Sequence, residues 1–94
     1  MNPVRDAGKW CVYVLQSAKD NKWYTGFTND LRKRLKEHRD GLARSTKGRG
    51  LLELIYYEMC LHRHDARSRE LFLKSGMGKR YLHNRLRRFL SLTG

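Results

Sequence analysis

Glu70 is a carboxylate at a position where a helix is expected to face the interior of the protein. Ala66, Glu70 and Leu73 are spaced as on the buried stripe of an amphipathic helix. Burying a carboxylate is costly unless a cation compensates its charge, and Mg²⁺ binds sites that offer one or two carboxylates plus phosphate oxygens. Glu70 is therefore a candidate ligand of Mg²⁺ or Mn²⁺. The alternative is a position at the edge of the stripe, where Glu70 forms an ion pair with one of its cationic neighbours, Arg67, Arg69 or Lys74.

Four further polar side chains could take part in chemistry, but each has an ordinary structural explanation. Tyr13 and Tyr24 lie in strand-like segments, where tyrosines more often belong to the core or the surface. Arg34 and His38 are one helical turn apart on a polar helix face that also carries Asp30. In an arbitrary helix, Arg34 is best explained by a solvated ion pair with Asp30, four residues earlier. Taken one by one, these residues do not predict a reaction.

The charge of the chain predicts a polyanionic partner. The 94 residues contain 21 Lys and Arg against 9 Asp and Glu, which gives a formal net charge of +12. Such a surplus favours nucleic acid binding, although a small basic ribosome- or RNA-associated protein would have the same composition. The residues expected to contact phosphates lie in a basic loop and near the last two helices; they are Arg44, Lys47, Arg49, Lys74, Lys79 and Arg80. Phosphate contacts do not read bases, so binding is expected to be independent of sequence.

The length and the apolar content of the chain limit its domain organisation and its location in the cell. With 39% hydrophobic residues, residues 1–94 are expected to form one domain with a single modest core. No apolar run approaches the ~18 residues that span a bilayer, so no membrane association is expected. The first nine residues, MNPVRDAGK, lack the apolar segment of a secretory signal, which favours the cytoplasm. Cys11 and Cys60 lie among apolar residues and are interpreted as buried thiols in a reducing compartment.

The first half of the chain predicts a β-hairpin followed by a helix. Residues 10–15 and 23–28 are rich in aromatic and β-branched residues, and a polar turn separates them. Gly26 interrupts the second strand and indicates a bulge or a close approach of the backbone to a ligand. A short amphipathic helix is expected over residues 30–39, with Asn29 as its N-cap and a glycine after its end.

The second half of the chain predicts one more strand and two helices. Residues 51–57 are almost continuously apolar, which favours a central strand covered on both faces. A helix is expected over residues 65–74, then a break at Gly76-Met77-Gly78, and then a last basic helix over residues 79–92. The resulting fold class is α+β, with a three-stranded sheet flanked by helices in the order β-β-α-β-α-α.

The polar residues fall into a pattern that resembles the GIY-YIG nuclease family. The pattern consists of Cys11-Val12-Tyr13, Tyr24-Thr25-Gly26, Thr28-Asn29-Asp30-Leu31 with Arg34 and His38, and later Glu70. The chain looks most like small single-domain bacterial members, which resemble the nuclease module of the excision-repair incision subunit. The resemblance covers roughly residues 9–82 and implies a central antiparallel sheet between helices. Cys11, Val12 and Thr25 depart from the two name-giving triplets, but both tyrosines remain.

The resemblance also implies a site and a reaction. The site of the family consists of two strand tyrosines, a helix arginine, a polar residue one turn later and a carboxylate that binds the metal. The matching residues in this chain are Tyr13, Tyr24, Arg34, His38 and Glu70. The family hydrolyses phosphodiester bonds with a divalent metal ion, Mg²⁺ or Mn²⁺. That chemistry implies a structure-selective endonuclease acting on DNA in repair or processing. Because a domain this small often needs a second copy or a partner to cut two strands, a homodimer or a larger repair complex is the expected assembly. Asn84 is a loose candidate for a polar residue that shapes the site in some relatives.

Three residues compete for the role of general base, namely Tyr13, Tyr24 and His38. Tyr13 is favoured, but its ordinary pKa of about 10 must fall by about 3 units for it to ionise at neutral pH, which is roughly 4 kcal/mol of differential stabilisation. His38 titrates near neutral pH without such help. The alternative functions are a nucleic-acid-binding module that does not cleave and an RNA-associated basic protein. A zinc site at His62-Arg63-His64 is disfavoured, because no cysteine or acidic pair completes it.

Overall fold

Three antiparallel strands form the centre of the fold, and helices pack against both faces of the sheet. A computed structural model describes residues 9–93 of the chain. The elements follow in the order β1 (Trp10–Ser17), β2 (Trp23–Thr28), α1 (Leu31–Arg39), β3 (Leu52–Cys60), α2 (Arg63–Lys74), α3 (Gly76–Arg85) and α4 (Arg87–Thr93). The α+β class and the antiparallel sheet are confirmed. Of the segment MNPVRDAGK, residues 1–8 lie outside the described residues.

β1 is the central strand of the sheet. The strand order is β2-β1-β3, which places β3 at an edge. All five residues from Cys11 to Leu15 are buried, whereas Tyr57 and Met59 of β3 are 57% and 54% exposed. The prediction that the third strand is central was therefore wrong. An apolar run indicates that a segment is extended and packs somewhere, but it does not determine which neighbours the strand pairs with.

The alternation of side chains along β1 divides the interior into two cores. Val12 and Val14 face the side of the sheet covered by α2 and α3, where they pack with Ala66, Leu73 and Leu82. Cys11, Tyr13 and Leu15 point to the opposite face, where Leu31 and Leu35 of α1 pack against them. Tyr13 thus leaves β1 on the side that carries α1, and this direction brings it to the polar face of that helix.

The ends of the helices differ from the predicted ones. Asp30, not Asn29, is the N-cap of α1, because its Oδ1 accepts a hydrogen bond from the Lys33 backbone at 3.1 Å. Gly76-Met77-Gly78 does not form a break but begins α3, and Ser75 caps that helix by accepting from the Gly78 amide at 3.1 Å. The predicted last helix is divided at Leu86 into α3 and α4. No helix within residues 9–93 is long and apolar enough to cross a membrane.

The two cysteines are free thiols in different environments. Cys11 is buried, and burial raises the pKa of its thiol above the ordinary value. Cys60, at the end of β3, is only partly buried. The prediction of two buried thiols therefore holds for Cys11 and was wrong for Cys60, because the edge strand leaves its last residues half open.

Candidate active site

Because Gly26 has no side chain, the Tyr13 ring can lie across β2, which is an edge strand of the sheet. The two residues face each other in the β1–β2 pairing, which is continuous through this point, so there is no bulge. A Cβ placed on Gly26 would lie 2.6 Å from the Tyr13 hydroxyl oxygen and 2.8 Å from its Cζ. The close approach predicted at Gly26 is thus to a side chain of the protein itself. It directs the Tyr13 hydroxyl toward α1 and the rim of the sheet.

If Tyr13 takes part in the phosphodiester hydrolysis that the residue pattern implies, Gly26→Ala should reduce the cleavage rate about 100-fold and leave nucleic-acid affinity nearly unchanged. The added methyl group must push the Tyr13 hydroxyl aside, and a misplacement of ~1 Å at a reacting group costs on the order of 10²-fold. Gly76→Ala is the matched control, because a Cβ at Gly76 meets no atom within 4 Å. Steady-state kcat and KM would be compared for both variants. A Gly26→Ala enzyme with wild-type kcat would show that the position of the Tyr13 ring does not matter.

The Tyr13 hydroxyl lies at the centre of a buried hydrogen-bond chain. His38 Nε2 is 3.0 Å from it, and Arg34 Nε donates to it at 3.3 Å. On the far side of the imidazole, His38 Nδ1 is 2.6 Å from Thr46 Oγ1. Arg34 can only donate, so the Tyr13 oxygen accepts from it, and we assign the Tyr13 proton to the bond with His38 Nε2. His38 Nδ1 then carries the ring proton and donates it to Thr46, which assigns the tautomer.

Burial sets the protonation of this chain. Desolvation raises the pKa of Tyr13 above 10.0, and the hydrogen bond and charge of Arg34 oppose that shift without reversing it. This is the direction opposite to the one that ionisation of Tyr13 at neutral pH requires. Desolvation lowers the pKa of His38 below 6.5, and the Arg34 charge lowers it further. At neutral pH His38 is thus uncharged and able to accept a proton from Tyr13.

Arg34 does not form the ion pair that its position in the helix suggested. Its Nη1 contacts Glu37 Oε1 at 3.0 Å, one turn later, while Asp30 caps the helix. The explanation of Arg34 as a solvated pair with Asp30 was therefore wrong. The expected polar face is also only partly solvated, because His38 is 5% exposed.

Glu70 occupies the buried stripe of α2 and is ion-paired at the same time. It is 6% exposed, between the fully buried Ala66 and Leu73. Its Oε1 lies 2.6 Å from Arg67 Nη1 and its Oε2 lies 3.0 Å from Lys74 Nζ. Both partners reach in from a half-exposed surface, with side chains 52% and 48% exposed. The third candidate partner, Arg69, pairs instead with Glu58 of β3 at 2.9 Å.

The five predicted catalytic residues line a single pocket of about 220 Å³. These are Tyr13, Tyr24, Arg34, His38 and Glu70, and the rest of the lining comes from Thr25, Gly26, Phe27, Ser45 and Lys74. Tyr24 contributes a buried hydroxyl with no hydrogen-bond partner among the described residues. Leaving such a group unpaired costs about 1–3 kcal/mol, so a ligand or a water molecule that reaches this hydroxyl gains a hydrogen bond.

The donors in this pocket fit a magnesium ion better than a zinc ion. One buried carboxylate, Glu70, matches the one or two carboxylates by which Mg²⁺ is held while it keeps several waters. Within residues 9–93, no group of three or more His, Cys, Asp or Glu could hold a metal. The zinc interpretation of His62-Arg63-His64 gains no support, because the His62 ring caps α2 by accepting from the His64 amide at 3.1 Å.

The predicted phosphate-binding residues are spread around the pocket and do not all reach it. Lys74 lines it, and Lys79 lines the adjoining hollow. Arg44, Lys47 and Arg49 are exposed on the loop after α1, where Arg49 lies 5.9 Å above the Tyr24 ring. The remaining one, Arg80, is exposed on α3 but lines neither hollow. Asn84 accepts from Arg87 at 2.9 Å and does not line the pocket.

Thr46 is the residue that the sequence did not reveal. It lies in a 3₁₀ turn, Arg44–Thr46, and is 2% exposed despite a strongly basic and polar neighbourhood. A threonine in a loop carries no local signal of burial, so only the packing of this turn against His38 identifies it.

Fold and pocket together define a nuclease-type domain, and the comparison with known proteins agrees: the GIY-YIG catalytic domain matches residues 9–88. The chain belongs to the GIY-YIG family. It is similar to the UPF0213 protein CPE1444 of Clostridium perfringens, with 45% identity over 67% of this chain and 68% of that protein. It is also similar to the UPF0213 protein YazA of Bacillus subtilis, with 46% identity over 66% of this chain and 63% of that protein.

A solved structure agrees with the fold. The solution NMR structure of the UPF0213 protein BH0048 from Bacillus halodurans matches with a TM-score of 0.51 and 34% identity, over 81% of this chain and 83% of that one. These relatives are small bacterial proteins of the same family. The resemblance inferred from the residue pattern is thus confirmed.

Proposed function

We propose that this protein is a divalent-metal-dependent endonuclease that hydrolyses phosphodiester bonds in DNA, chosen by structure rather than sequence, in repair or processing. The observation that carries the proposal is the pocket itself. The pocket of about 220 Å³ is lined by Glu70, which has a buried carboxylate, and by Tyr24, which has an unpaired hydroxyl. Tyr13 and His38, which are joined by a hydrogen bond, line the same pocket. A protein that only bound nucleic acid would gain nothing from burying these groups together.

Glu70 is the residue that would hold the metal ion, with Mg²⁺ or Mn²⁺ as the candidates. When bound there, the ion supplies Lewis-acid polarisation of the phosphate and stabilises the leaving oxygen. The half-exposed side chains of Arg67 and Lys74 can swing away from Glu70 when a bound metal ion compensates the charge of the buried carboxylate in their place. The carboxylate is thereby available at the wall of the pocket.

Arg34 would hold the scissile phosphate. Two of its donor groups are engaged with Tyr13 and Glu37, which fix the guanidinium plane at the mouth of the pocket. Its remaining N–H donors can grip a phosphate oxygen in the planar geometry that suits an arginine. The residue thus ties the position of the phosphate to that of the Tyr13 hydroxyl.

Tyr13 and His38 would move the proton of the attacking water together. As the Tyr13 oxygen accepts that proton, its own proton passes to His38 Nε2 across the existing 3.0 Å hydrogen bond. A free tyrosinate is never required, which agrees with the raised pKa of Tyr13 and the lowered pKa of His38. In this proposal Tyr13 and His38 act as one general base, in which His38 is the final acceptor of the proton.

Arg34→Lys is expected to lower kcat at least about 100-fold, although it keeps the positive charge. An ammonium cannot contact Tyr13 and a phosphate in one plane, and removal of one positioned donor typically costs 10²–10³-fold. Arg32→Lys, an exposed site on the same helix, is the matched control and should cleave as the wild type does. A fully active Arg34→Lys enzyme would refute the phosphate clamp.

Thr46→Val is expected to reduce kcat about 10- to 100-fold with little change in KM. The valine removes the acceptor that fixes the tautomer of His38, and such partners of a functional histidine contribute about that much. Thr46→Ser keeps the hydroxyl and should restore most of the rate. If the Thr46→Ser and Thr46→Val enzymes lost the same amount of kcat, Thr46 would be a packing residue only.

A second candidate function is a nucleic-acid-binding domain that does not cleave. It is favoured by the two ion pairs of Glu70, which already neutralise the carboxylate. Labelled branched, nicked, flapped and single-stranded DNA, incubated with Mg²⁺, with Mn²⁺ or with EDTA, separates the two proposals. Metal-dependent cleavage of any of these substrates supports the nuclease, and tight binding without cleavage supports the binding domain.

A further inference from the structure

The candidate pocket opens into a larger cleft along β2. A hollow of about 310 Å³ shares Tyr24 and Lys74 with the pocket. It also shares Trp23 and Lys79 with a cleft of about 900 Å³ that lies beyond it. The hollow and the cleft, which we call the β2 groove, adjoin each other and extend from beside the candidate pocket to the turn between β1 and β2.

The charge of the β2 groove is suited to a phosphate backbone. Lys74 stands where the pocket meets the groove, Lys79 lies midway, and Lys22 lines the far end. Glu53 of β3 is the single carboxylate that lines the groove within the described residues, also in the far cleft. A row of ammonium groups with one opposing carboxylate attracts an anionic chain and gives no sequence preference.

Two stacked rings lie in the wall of the groove. Trp23 and His83 have ring centroids 4.5 Å apart and planes inclined by 26°. The indole is half-buried and packs against the core formed by Val12, Val14 and their neighbours, which holds it rigidly. His83 is exposed on α3, so the stack ends in a ring that faces the solvent. Neither ring has a part in the proposed hydrolysis.

A stacked ring pair beside a row of lysines is suited to unpaired nucleotides. The faces of a base in a duplex are covered by its neighbours, whereas an unpaired base can extend a stack of aromatic side chains. Such stacking is tolerant of base identity because every base has a flat face. Duplex DNA can meet the lysines but cannot use the rings.

We propose that the β2 groove binds a single-stranded stretch of nucleic acid that flanks the cleavage site, with a base stacked on the Trp23–His83 pair. The phosphates of that stretch contact Lys79 and Lys22. The proposal rests on the proposed nuclease function for the position of the scissile phosphate. Binding in the β2 groove would restrict the preferred substrates of the nuclease to nucleic acids with an unpaired stretch beside the cleavage site, such as flaps, overhangs and single strands.

Trp23 itself reports on the contact. Trp10→Phe leaves Trp23 as the sole tryptophan, and Trp10 lies outside the groove, under the Arg63 guanidinium at 5.7 Å. This variant would be titrated with short oligo-dT and with a duplex of equal length, in EDTA so that no cleavage occurs. A base on the exposed His83 ring extends the stack that contains the indole, so oligo-dT is expected to quench the Trp23 emission and the duplex to leave it nearly unchanged.

Substitutions at His83 separate stacking from charge. In the Trp10→Phe background, His83→Ala should weaken oligo-dT binding about 10-fold or more and change duplex binding less than about twofold. His83→Phe keeps a ring and should restore the affinity. His64→Ala is the matched control, since His64 is also exposed on a helix but lies outside the groove. Lys79→Ala should reduce the slope of log affinity against log salt by about 0.7 for the single strand.

Two results would overturn the β2 groove as a binding site. One is oligo-dT binding, seen by anisotropy, that leaves the Trp23 emission unchanged; the other is an equal loss of duplex and single-strand affinity in His83→Ala. Because these titrations need no cleavage, the outcome is separate from the nuclease proposal. Quenching of the Trp23 emission by oligo-dT, with no cleavage under Mg²⁺, would refute the nuclease proposal and support the β2 groove as a binding site. Cleavage with no quenching would refute the β2 groove and support the nuclease.

Discussion

Replacing Glu70 with glutamine is expected to abolish metal-dependent cleavage, with a loss of more than about 10³-fold, while the fold and the DNA affinity stay nearly unchanged. Lewis-acid stabilisation by a bound ion contributes several kcal/mol, and each ~1.4 kcal/mol is tenfold in rate. Glutamine has the same shape and can keep hydrogen bonds to Arg67 and Lys74. Since glutamine is uncharged and the two cations are about half exposed to water, the substitution leaves no buried charge without compensation and costs little stability.

The measurement for Glu70→Gln has three parts. Cleavage is followed as a function of Mg²⁺ and of Mn²⁺ concentration, the fold by thermal melting, and DNA binding by anisotropy in EDTA. Glu58→Gln is the matched control, because Glu58 is also a carboxylate paired with an arginine, Arg69, but does not line the pocket. Cleavage by Glu70→Gln within a few-fold of the wild type would refute the metal assignment. Loss of activity in both variants alike would point to a general effect of broken ion pairs.

The second large effect is expected at the pair formed by Tyr13 and His38. Tyr13→Phe removes the hydroxyl and keeps the buried ring, and His38→Gln removes the proton acceptor and keeps a polar side chain. If the two act as one unit, each variant should lose on the order of 10²–10⁴-fold in kcat, the usual contribution of a general base. The double variant should then be little worse than either single one, because residues that act together are not additive.

The pH dependence identifies the final proton acceptor. Neutral His38 is the active form, so kcat should rise with pH through the His38 pKa and then level off. That pKa lies below 6.5 because burial, and then the Arg34 charge, disfavour the imidazolium, so the rise should be complete by neutral pH. The pH profile of the His38→Gln enzyme should lack this rise in kcat. Rates are to be measured at saturating Mg²⁺ and substrate, so that changes in binding do not enter.

Other outcomes at this pair would change the mechanism. A large loss in Tyr13→Phe with a small loss in His38→Gln would make the tyrosine the base by itself, against the direction of its pKa. The opposite ranking would leave Tyr13 as an orienting residue. Equal losses that add in the double variant would show two independent roles and contradict the linked proton transfer.

The amino-acid sequence by itself determined the local parts of this site. The aromatic and β-branched residues of β1 and β2, with a polar turn between them, placed both tyrosines on paired strands. The helical spacing of Arg34 and His38 placed them on one face of α1. The spacing of Ala66, Glu70 and Leu73 correctly predicted a buried carboxylate. Side-chain direction repeats every two residues in a strand and every 3.6 in a helix, so the sequence alone carries this information.

Only the tertiary structure decided what these side chains face. The strand order put β3 at the edge, and the packing of the turn at Thr46 buried His38 and gave its Nδ1 a partner. Arg34 turned to Tyr13 and Glu37 because Asp30 was taken by the helix N-terminus. Periodicity states which side of an element is inward, but partners distant in sequence are selected by strand pairing and loop closure. Those long-range contacts are what bring five separate residues around one pocket.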